Sequence, residues 1–221
     1  MSGDPTWLID VKSALESVTE FPIARFAPPP DFQGRESAVL IALSDWNGTP
    51  EMVVIQRSFS LRKHAGQAAF PGGAVDDTDA DVVAAALREA QEEIGLDPSS
   101  VAVLGTLPRV WVPVSGFAVT PVVAHWHTPH EISPQDLAEV AAVHRISVAE
   151  LVSPENRVRV QHSSGFVGPG FLIDELTIWG FTGALLDAIL QWFGWEEPWK
   201  PGPLIELAAR EPRQDSSRDL S

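Results

Sequence analysis

Cysteine and tyrosine are both absent from the 221 residues of this chain. Without cysteine there is no disulfide, no thiolate nucleophile and no Cys-ligated zinc or iron–sulfur site. Basic residues are scarce, because 15 Lys and Arg face 30 Asp and Glu and give a formal net charge of −15. That balance argues against non-specific attraction to nucleic acid or to anionic membranes, so we expect neither as a partner.

Long apolar runs are also missing. No window approaches the roughly 18 consecutive apolar residues of a membrane span. The first 18 residues carry Asp4, Asp10 and Glu16 and lack the apolar run of a signal peptide. We therefore expect a cytoplasmic protein. Hydrophobic residues still make up 44% of the chain, which is enough for the core of one globular domain.

The sequence predicts three parts. Residues 1–35 are predicted to form an N-terminal helix, over 5–18, and a proline-rich connector. The main domain is predicted over 36–199. Residues 200–221 combine mixed charges with little apolar periodicity, which is typical of a flexible tail.

Strand and helix patterns alternate through the main domain. Short apolar runs predict strands at 37–45, 52–57, 67–73, 101–107, 117–126, 157–161 and 176–179. Helical periodicity predicts helices over 80–94 and 183–193, with a helical turn at 147–151. Residues 108–116 are too rich in Pro and Gly to predict regular structure. The alternation favours an α/β or α+β domain with a mixed sheet.

The charges are distributed unevenly. No acidic residue lies between Glu51 and Asp76, whereas Arg57, Arg62 and Lys63 give that stretch three positive charges. Residues 76–93 carry seven acids and one arginine, a net charge of −6. A cationic loop beside an acidic helix suits a polyphosphate held both by Arg and Lys and by carboxylate-bound divalent ions.

Three carboxylates lie close together on the predicted helix. Glu89, Glu92 and Glu93 fall within about 100° of helical arc, and an apolar stripe lies on the other side. The stripe consists of Val83, Leu87, Ala90 and Ile94. Arg88 precedes Glu92 by four residues and is placed to pair with it. Two interpretations of this face are open: a metal site or a solvated helix surface.

The order Arg88-Glu89, two residues, Glu92-Glu93, one residue, Gly95-Leu96 resembles the second half of the Nudix box. Residues 70–73 (FPGG) resemble the glycine turn that opens the box. The resemblance implies an α/β/α sandwich with a mixed β-sheet that hydrolyses nucleoside diphosphates linked to another moiety.

The same resemblance implies roles for individual residues. Glu89, Glu93 and a carbonyl of the turn at Gly72 would bind Mg²⁺ or Mn²⁺. Glu92 would be a further ligand or the base that activates water. Asp79 stands at the family's first glutamate position, but eight residues rather than seven separate it from Arg88, and this departure casts doubt on a role for Asp79.

A second signature lies upstream of the box. Arg57-Ser58, three residues, Arg62, three residues, Gly66, three residues and then Phe70 resembles the coenzyme A pyrophosphatase subgroup. Val53-Val54-Ile55 departs mildly from its Leu-Leu-Thr. The resemblance implies hydrolysis of coenzyme A to 3′,5′-ADP and 4′-phosphopantetheine. The substrate-binding candidates are Arg57, Arg62, His64 and Phe70.

Residues outside both signatures supply further candidates. Glu139 is preferred over Asp136 as an additional catalytic carboxylate. His125 and His127 would share one face of a strand, where a transition-metal site is less expected than surface residues. Trp111 and Trp126 are candidates for stacking on adenine.

Two other functions stay open at this point. The box dictates chemistry rather than substrate, so ADP-ribose, dinucleotides and nucleoside triphosphates are alternative small-molecule substrates. A catalytically silent Nudix-fold module that only binds its ligand is the non-enzymatic alternative. The sequence also leaves a homodimer open.

Overall fold

The computed structural model describes residues 4–19, 28, 32, 34–46, 48–112, 116–162, 165–200 and 202–206. The helices are α1 (Thr6–Ser17), α2 (Val82–Ile94), α3 (Val148–Val152) and α4 (Gly180–Trp192). The first eight strands are β1 (Arg35–Trp46), β2 (Thr49–Arg57), β3 (Ala68–Ala69), β4 (Gly72–Ala74), β5 (Val101–Thr106), β6 (Val110–Val112), β7 (Phe117–Trp126) and β8 (Val140–Ser147). The last four are β9 (Arg157–Gln161), β10 (Val167–Ile173), β11 (Leu176–Ile178) and β12 (Leu204–Glu206).

Strands β1 to β8 form one mixed sheet. Its main order is β3-β2-β1-β7-β5, with β4 paired to β1, β6 to β7 and β8 to β2. β1 and β7 run parallel from the pair Arg35 and Phe117 to the pair Leu43 and His125. The other pairings in this sheet are antiparallel. The predicted mixed sheet is therefore confirmed.

The sheet is covered on both faces, because successive side chains of a strand point to opposite sides. In β1, Leu40 and Ala42 pack with the alanines of α2 and with Ile94. Ile41 and Leu43 belong to a second core cluster, which includes residues of α1 and α4. A sheet with helices on both faces is the predicted α/β/α sandwich.

A second sheet, of order β11-β10-β9-β12, was not predicted. Arg157 of β9 lies buried within it, pairs with Asp187 of α4, and stacks its guanidinium over Phe171 and Trp199. β12 pairs in parallel with β9. The segment predicted as a flexible tail therefore contains a regular strand at Leu204–Glu206.

Several predicted elements need correction. The Pro- and Gly-rich segment 108–116 contains β6, because Val110 to Val112 pair with β7. Strands β8 and β10 were not predicted. Most of the predicted connector lies outside the described residues, and the three-part division of the chain stays a prediction. In the part that the structure describes, no helix is long and apolar enough to cross a membrane.

Candidate active site

Helix α2 carries the acidic residues of the site, and its start and end are both fixed locally. Asp81 caps the helix, since its Oδ1 accepts the amides of Val83 and Ala84 at 2.9 Å each. Gly95 ends it in a left-handed conformation, with φ of 72°. Packing of the alanine face against the sheet then sets the rotation of the helix, and with it the direction of the glutamates.

The glycine turn before α2 brings backbone close to two neighbours. A Cβ on Gly72 would collide with the carbonyl oxygen of Ala38 in β1. A Cβ on Gly73 would collide with the Glu89 carboxylate. Both positions therefore require glycine for close approach, and the turn places its backbone directly against the acidic face of α2.

Glu93 is buried, with 7% of its surface exposed, and does not share a solvated face with Glu92. Its Oε2 accepts the amide of Gly72 at 2.9 Å. Burial raises the pKa of Glu93 to about 7, although the Gly72 amide acts in the opposite direction. The nearby Glu89 and Glu139 carboxylates add to the rise in pKa, and the Arg57 charge opposes it. Arg57 before the cationic loop, Glu89 of α2 and the amide of the glycine turn therefore all influence the pKa of the Glu93 carboxyl.

Arg88 organises the remaining acids. Its Nη1 donates to Glu89 at 2.9 Å and to Glu92 at 3.0 Å, which confirms the predicted pairing with Glu92. Its Nε and Nη2 each donate to Asp79 at 3.0 Å. Asp79 therefore has a structural role that its spacing did not predict, because it holds the guanidinium that orients two glutamates. The hydrogen bonds from Arg88 lower the pKa of Asp79.

The donor set fits a hard divalent cation. Glu89 and Glu93 supply carboxylate oxygens, the ligands that Mg²⁺ and Mn²⁺ prefer. Burial raises the pKa of Glu89 as it does that of Glu93, so the two carboxylates carry an electrostatic cost that a cation relieves. Within the described ranges no three His, Asp or Glu side chains form a ready cluster. Part of the coordination would thus fall to water, to substrate or to backbone, as predicted for the Gly72 carbonyl.

The cationic loop follows β2. Within the part of the chain that the structure describes, Arg57, Arg62 and Lys63 have no carboxylate oxygen within 4 Å. Arg57 Nε is buried and has no hydrogen-bond partner there. His64 is exposed and bonds through Nδ1 to Gln67 at 2.8 Å, with a left-handed backbone at φ of 56°. The loop therefore presents positive charge that the described protein groups leave uncompensated.

Glu139 joins the site through the same loop. The amide of Ser58 donates to the Glu139 carbonyl at 2.8 Å, and Ser60 Oγ donates to the Ala138 carbonyl at 3.3 Å. The exposed Glu139 carboxylate is close enough to raise the pKa of Glu93. Asp136 instead accepts the Ala138 amide at 2.7 Å and shapes the turn. Glu139 therefore lies beside the cationic loop, and its main-chain hydrogen bond to Ser58 gave no signal in the sequence.

The three aromatic candidates do not offer an exposed ring face to a ligand. Phe70 is 3% exposed and packs in the core, which does not fit its predicted substrate contact. Trp126 is fully buried, so it has no free face for adenine. Trp111 packs edge-on against Phe32, with ring centroids 5.0 Å apart.

Among the described residues, His125 of β7 and His127, which follows that strand, belong to no group of three metal-ligating side chains. His125 packs edge-on against Trp7 at 5.6 Å and lies 6.2 Å from the ring of His127. Burial lowers the pKa of His125, so the neutral ring is favoured. His125 therefore packs between β7 and α1, whereas His127 is exposed and pairs with Thr128.

The comparison with known families agrees with this geometry. The NUDIX domain model matches residues 34–164, more than half of the chain, so the chain belongs to the Nudix family. The match begins at the first strand and includes the glycine turn, α2 and the turn that carries Glu139. The box resemblance in the sequence is thereby confirmed.

Curated relatives give a more particular similarity. The chain is 51% identical over 122 residues to the Nudix hydrolase NudL of Escherichia coli O1:K1, which covers 52% of this chain and 59% of the relative. NudL of Shigella boydii serotype 18 matches equally well. The match therefore spans little more than half the length of these relatives.

Solved structures with related folds include other Nudix proteins. A C. elegans Ap4A hydrolase is 19% identical with a TM-score of 0.46, over 53% of this chain and 83% of that one. The NUDIX domain of Shewanella oneidensis NrtR, complexed with ADP ribose, is 18% identical with a TM-score of 0.43, over 60% and 86%. A NUDIX hydrolase from Alicyclobacillus acidocaldarius is 19% identical with a TM-score of 0.47, over 73% and 93%.

Proposed function

We propose that this chain is a divalent-metal-dependent pyrophosphohydrolase acting on coenzyme A or its derivatives. Coenzyme A would give 3′,5′-ADP and 4′-phosphopantetheine. The observation that carries the proposal is a buried carboxylate, Glu93, with the partly buried Glu89, beside a cationic loop that the described carboxylates leave unneutralised. Because the Arg57 charge acts on Glu93, the two halves of the site lie within electrostatic range of each other.

The charge of the loop supports coenzyme A in particular. Coenzyme A carries a diphosphate and a 3′-phosphate, and the loop offers Arg57, Arg62 and Lys63. Guanidinium groups bind phosphate oxygens in a bidentate manner, whereas lysine acts as a point charge. Three separate cations therefore suit a ligand with three phosphates in two positions.

Glu89 and Glu93 would hold the metal ion, with Glu92 as a further ligand. When bound, the ion neutralises the diphosphate and lowers the pKa of a coordinated water. Arg88 orients Glu89 and Glu92, and Asp79 holds Arg88 in place. Arg57 would bind the diphosphate and position its phosphorus for attack, and Arg62 would bind the 3′-phosphate.

Glu139 is proposed as the general base that takes the proton of the attacking water on a carboxylate oxygen. Arg88 engages Glu92 at 3.0 Å, which favours a ligand role for that residue. The Glu139 carboxylate makes no hydrogen bond or ion pair with the described part of the chain, so it remains available to water. If Glu139 is the base, Glu139→Gln lowers kcat and leaves the affinity for Mg²⁺ or Mn²⁺ unchanged.

The proposal is tested by incubating the protein with coenzyme A and either Mg²⁺ or Mn²⁺, followed by chromatography of the products. We expect 3′,5′-ADP and 4′-phosphopantetheine in equal amounts. Glu93→Gln should abolish turnover while the circular dichroism spectrum is unchanged; full activity in that variant contradicts the metal assignment. If ADP-ribose, a dinucleotide or a nucleoside triphosphate is hydrolysed faster than coenzyme A, that compound and not coenzyme A is the substrate. Tight binding without hydrolysis in Mn²⁺ would identify a binding module.

The 3′-phosphate contact has its own test. Arg62 is exposed, so Arg62→Gln should leave the fold intact. We expect it to raise KM for coenzyme A more than KM for 3′-dephospho-coenzyme A. Lys12→Gln on α1 is the matched control, because Lys12 is exposed and pairs with Asp4 outside the loop. Equal effects on both substrates would assign Arg62 to the diphosphate instead.

A further inference from the structure

We infer that Thr182 of α4 is a positioning residue for the proposed metal site. Its hydroxyl holds β3, and β3 runs directly into the glycine turn whose amide binds Glu93. The inference rests on the proposed function in one respect: Glu93 is taken to be a metal ligand. Thr182 and the second sheet beside it both lie outside the two sequence signatures.

The hydrogen bond from Thr182 to β3 is buried at both ends. Thr182 Oγ1 donates to the Ala68 carbonyl at 2.9 Å, and the two residues are 5% and 6% exposed. The Arg57 amide bonds the Gln67 carbonyl. Because the main-chain groups of successive strand residues point in opposite directions, Ala68 turns its carbonyl away from β2. A buried carbonyl without a partner is costly, and the hydroxyl of Thr182 satisfies this one.

The start of α4 is fixed by its close approach to the second sheet. A Cβ on Gly183 would lie 2.8 Å from the Pro169 carbonyl oxygen of β10 and 3.4 Å from that of Ile178 in β11. Glycine at this position therefore lets the helix backbone lie against both strands. Thr182 is the preceding residue, so its hydroxyl reaches β3 from a helical turn that the second sheet holds in place.

The chain from β3 to Gly72 connects this fixed point to the metal site. Two residue pairs join β3 to β2, so pairing alone holds the strand weakly. The Pro71 carbonyl then accepts the Leu40 amide at 2.8 Å, and Gly72 donates its amide to Glu93 Oε2 at 2.9 Å. Thr182 thus anchors one end of a short segment, and the Glu93 carboxylate lies at the other end. Without the anchor, the segment is free to shift against that carboxylate.

Calorimetric titration of the metal-free protein with Mn²⁺ tests the inference without any substrate. Thr182→Val keeps nearly the same shape and removes the hydroxyl. It should weaken Mn²⁺ binding about 10-fold, as does the loss of other groups that orient metal ligands. Thr182→Ser keeps a hydroxyl and should retain wild-type affinity. Ile189→Val is the matched control, because it removes a buried methylene from the same helix and no hydrogen bond, and it should bind Mn²⁺ like the wild type.

Hydrogen exchange of the metal-free protein, followed by NMR, gives a second readout. Thr182→Val should make the Leu40 and Gly72 amides exchange about 5-fold faster, the effect of one hydrogen bond on local opening. The Leu107 amide bonds the Pro121 carbonyl of β7 at 2.9 Å and should exchange at the wild-type rate. Equally faster exchange at all three amides would mean that the substitution weakens the whole fold, and it would overturn the inference.

The metal titration separates the inference from the proposed function. Wild-type Mn²⁺ affinity in Thr182→Val, or an equal loss of affinity in Thr182→Ser and Ile189→Val, overturns the inference even if the protein hydrolyses coenzyme A. A protein that hydrolyses no diphosphate, yet loses Mn²⁺ affinity in Thr182→Val alone, refutes the proposed function and keeps the inference. A wild-type protein that binds no Mn²⁺ refutes both.

Discussion

Glutamine in place of Glu93 should make the metal-free protein more stable at neutral and alkaline pH. The wild-type carboxyl is buried, which raises its pKa from 4.5 to about 7. Each tenfold change in the proton equilibrium corresponds to 1.36 kcal/mol, so the charged carboxylate destabilises the fold by about 3 kcal/mol. Glutamine has nearly the same shape, can accept the Gly72 amide through its oxygen, and carries no charge.

The sign of the pH dependence follows from linkage. Below pH 4.5 the Glu93 carboxyl is protonated in both the folded and the unfolded chain, so the folded chain buries no charge there. Between about pH 4.5 and 7 the folded chain binds the proton more tightly, so wild-type stability falls as the pH rises. Above about pH 7 the destabilisation by the charged Glu93 carboxylate reaches its full value. The stabilisation by Glu93→Gln should therefore grow from near zero at pH 4.5 to its maximum at pH 8.

Urea unfolding followed by tryptophan fluorescence, in EDTA at pH 5 and at pH 8, measures this difference. Glu92→Gln is the matched control: the same substitution one residue away at a side chain that is 60% exposed should change stability by at most about 1 kcal/mol. Added Mg²⁺ or Mn²⁺ at pH 8 should stabilise the wild type and not Glu93→Gln. A Glu93→Gln protein that is less stable than wild type at pH 8, or a difference independent of pH, would falsify the reasoning.

Three further predictions concern the turn, the metal and the second sheet. Gly73→Ala should lower kcat about 10²-fold in the diphosphate assay while the thermal midpoint stays close to wild type, because its Cβ displaces Glu89; unchanged kcat contradicts this. EDTA should abolish turnover and added Mg²⁺ or Mn²⁺ should restore it, and activity that persists in EDTA would exclude the metal site. Arg157→Met should cost about 3 to 5 kcal/mol in urea unfolding because it leaves Asp187 as a half-buried charge without its partner, and adding Asp187→Asn should recover part of the loss.

The resemblance to the Nudix box implied the sandwich, and helical periodicity predicted the acidic helix because it is a local signal. The helix was predicted over residues 80–94 and lies at Val82–Ile94. Strand β8 was not recognised, since Val140–Ser147 mixes Ala, His and Arg without a clear alternation. β10 includes Pro169 and two glycines, which favour turns in isolation and are accepted here through pairing with β9.

The site was only partly predictable for a related reason. Helical angles placed Glu93 with Glu89 and Glu92, but burial depends on the width of the surface that packs against α2. That surface extends far enough to cover Glu93. A role for Asp79 was in doubt because its spacing from Arg88 is one residue too long, yet a side-chain contact across a turn does not require a fixed spacing. In both cases the role of the residue depends on its neighbours in the folded chain and not on the local sequence pattern.

The main-chain hydrogen bond between the cationic loop and the turn at Glu139 has an evolutionary consequence. Ser58 reaches Glu139 through main-chain atoms, amide to carbonyl. Such a bond survives replacement of either side chain, provided that the new residue at position 58 is not proline. Arg62 and Lys63 can therefore mutate while the main chain of the loop keeps its distance from Glu139. If the proposed function holds, substrate preference can diverge among descendants of this chain while the proposed hydrolytic site stays intact.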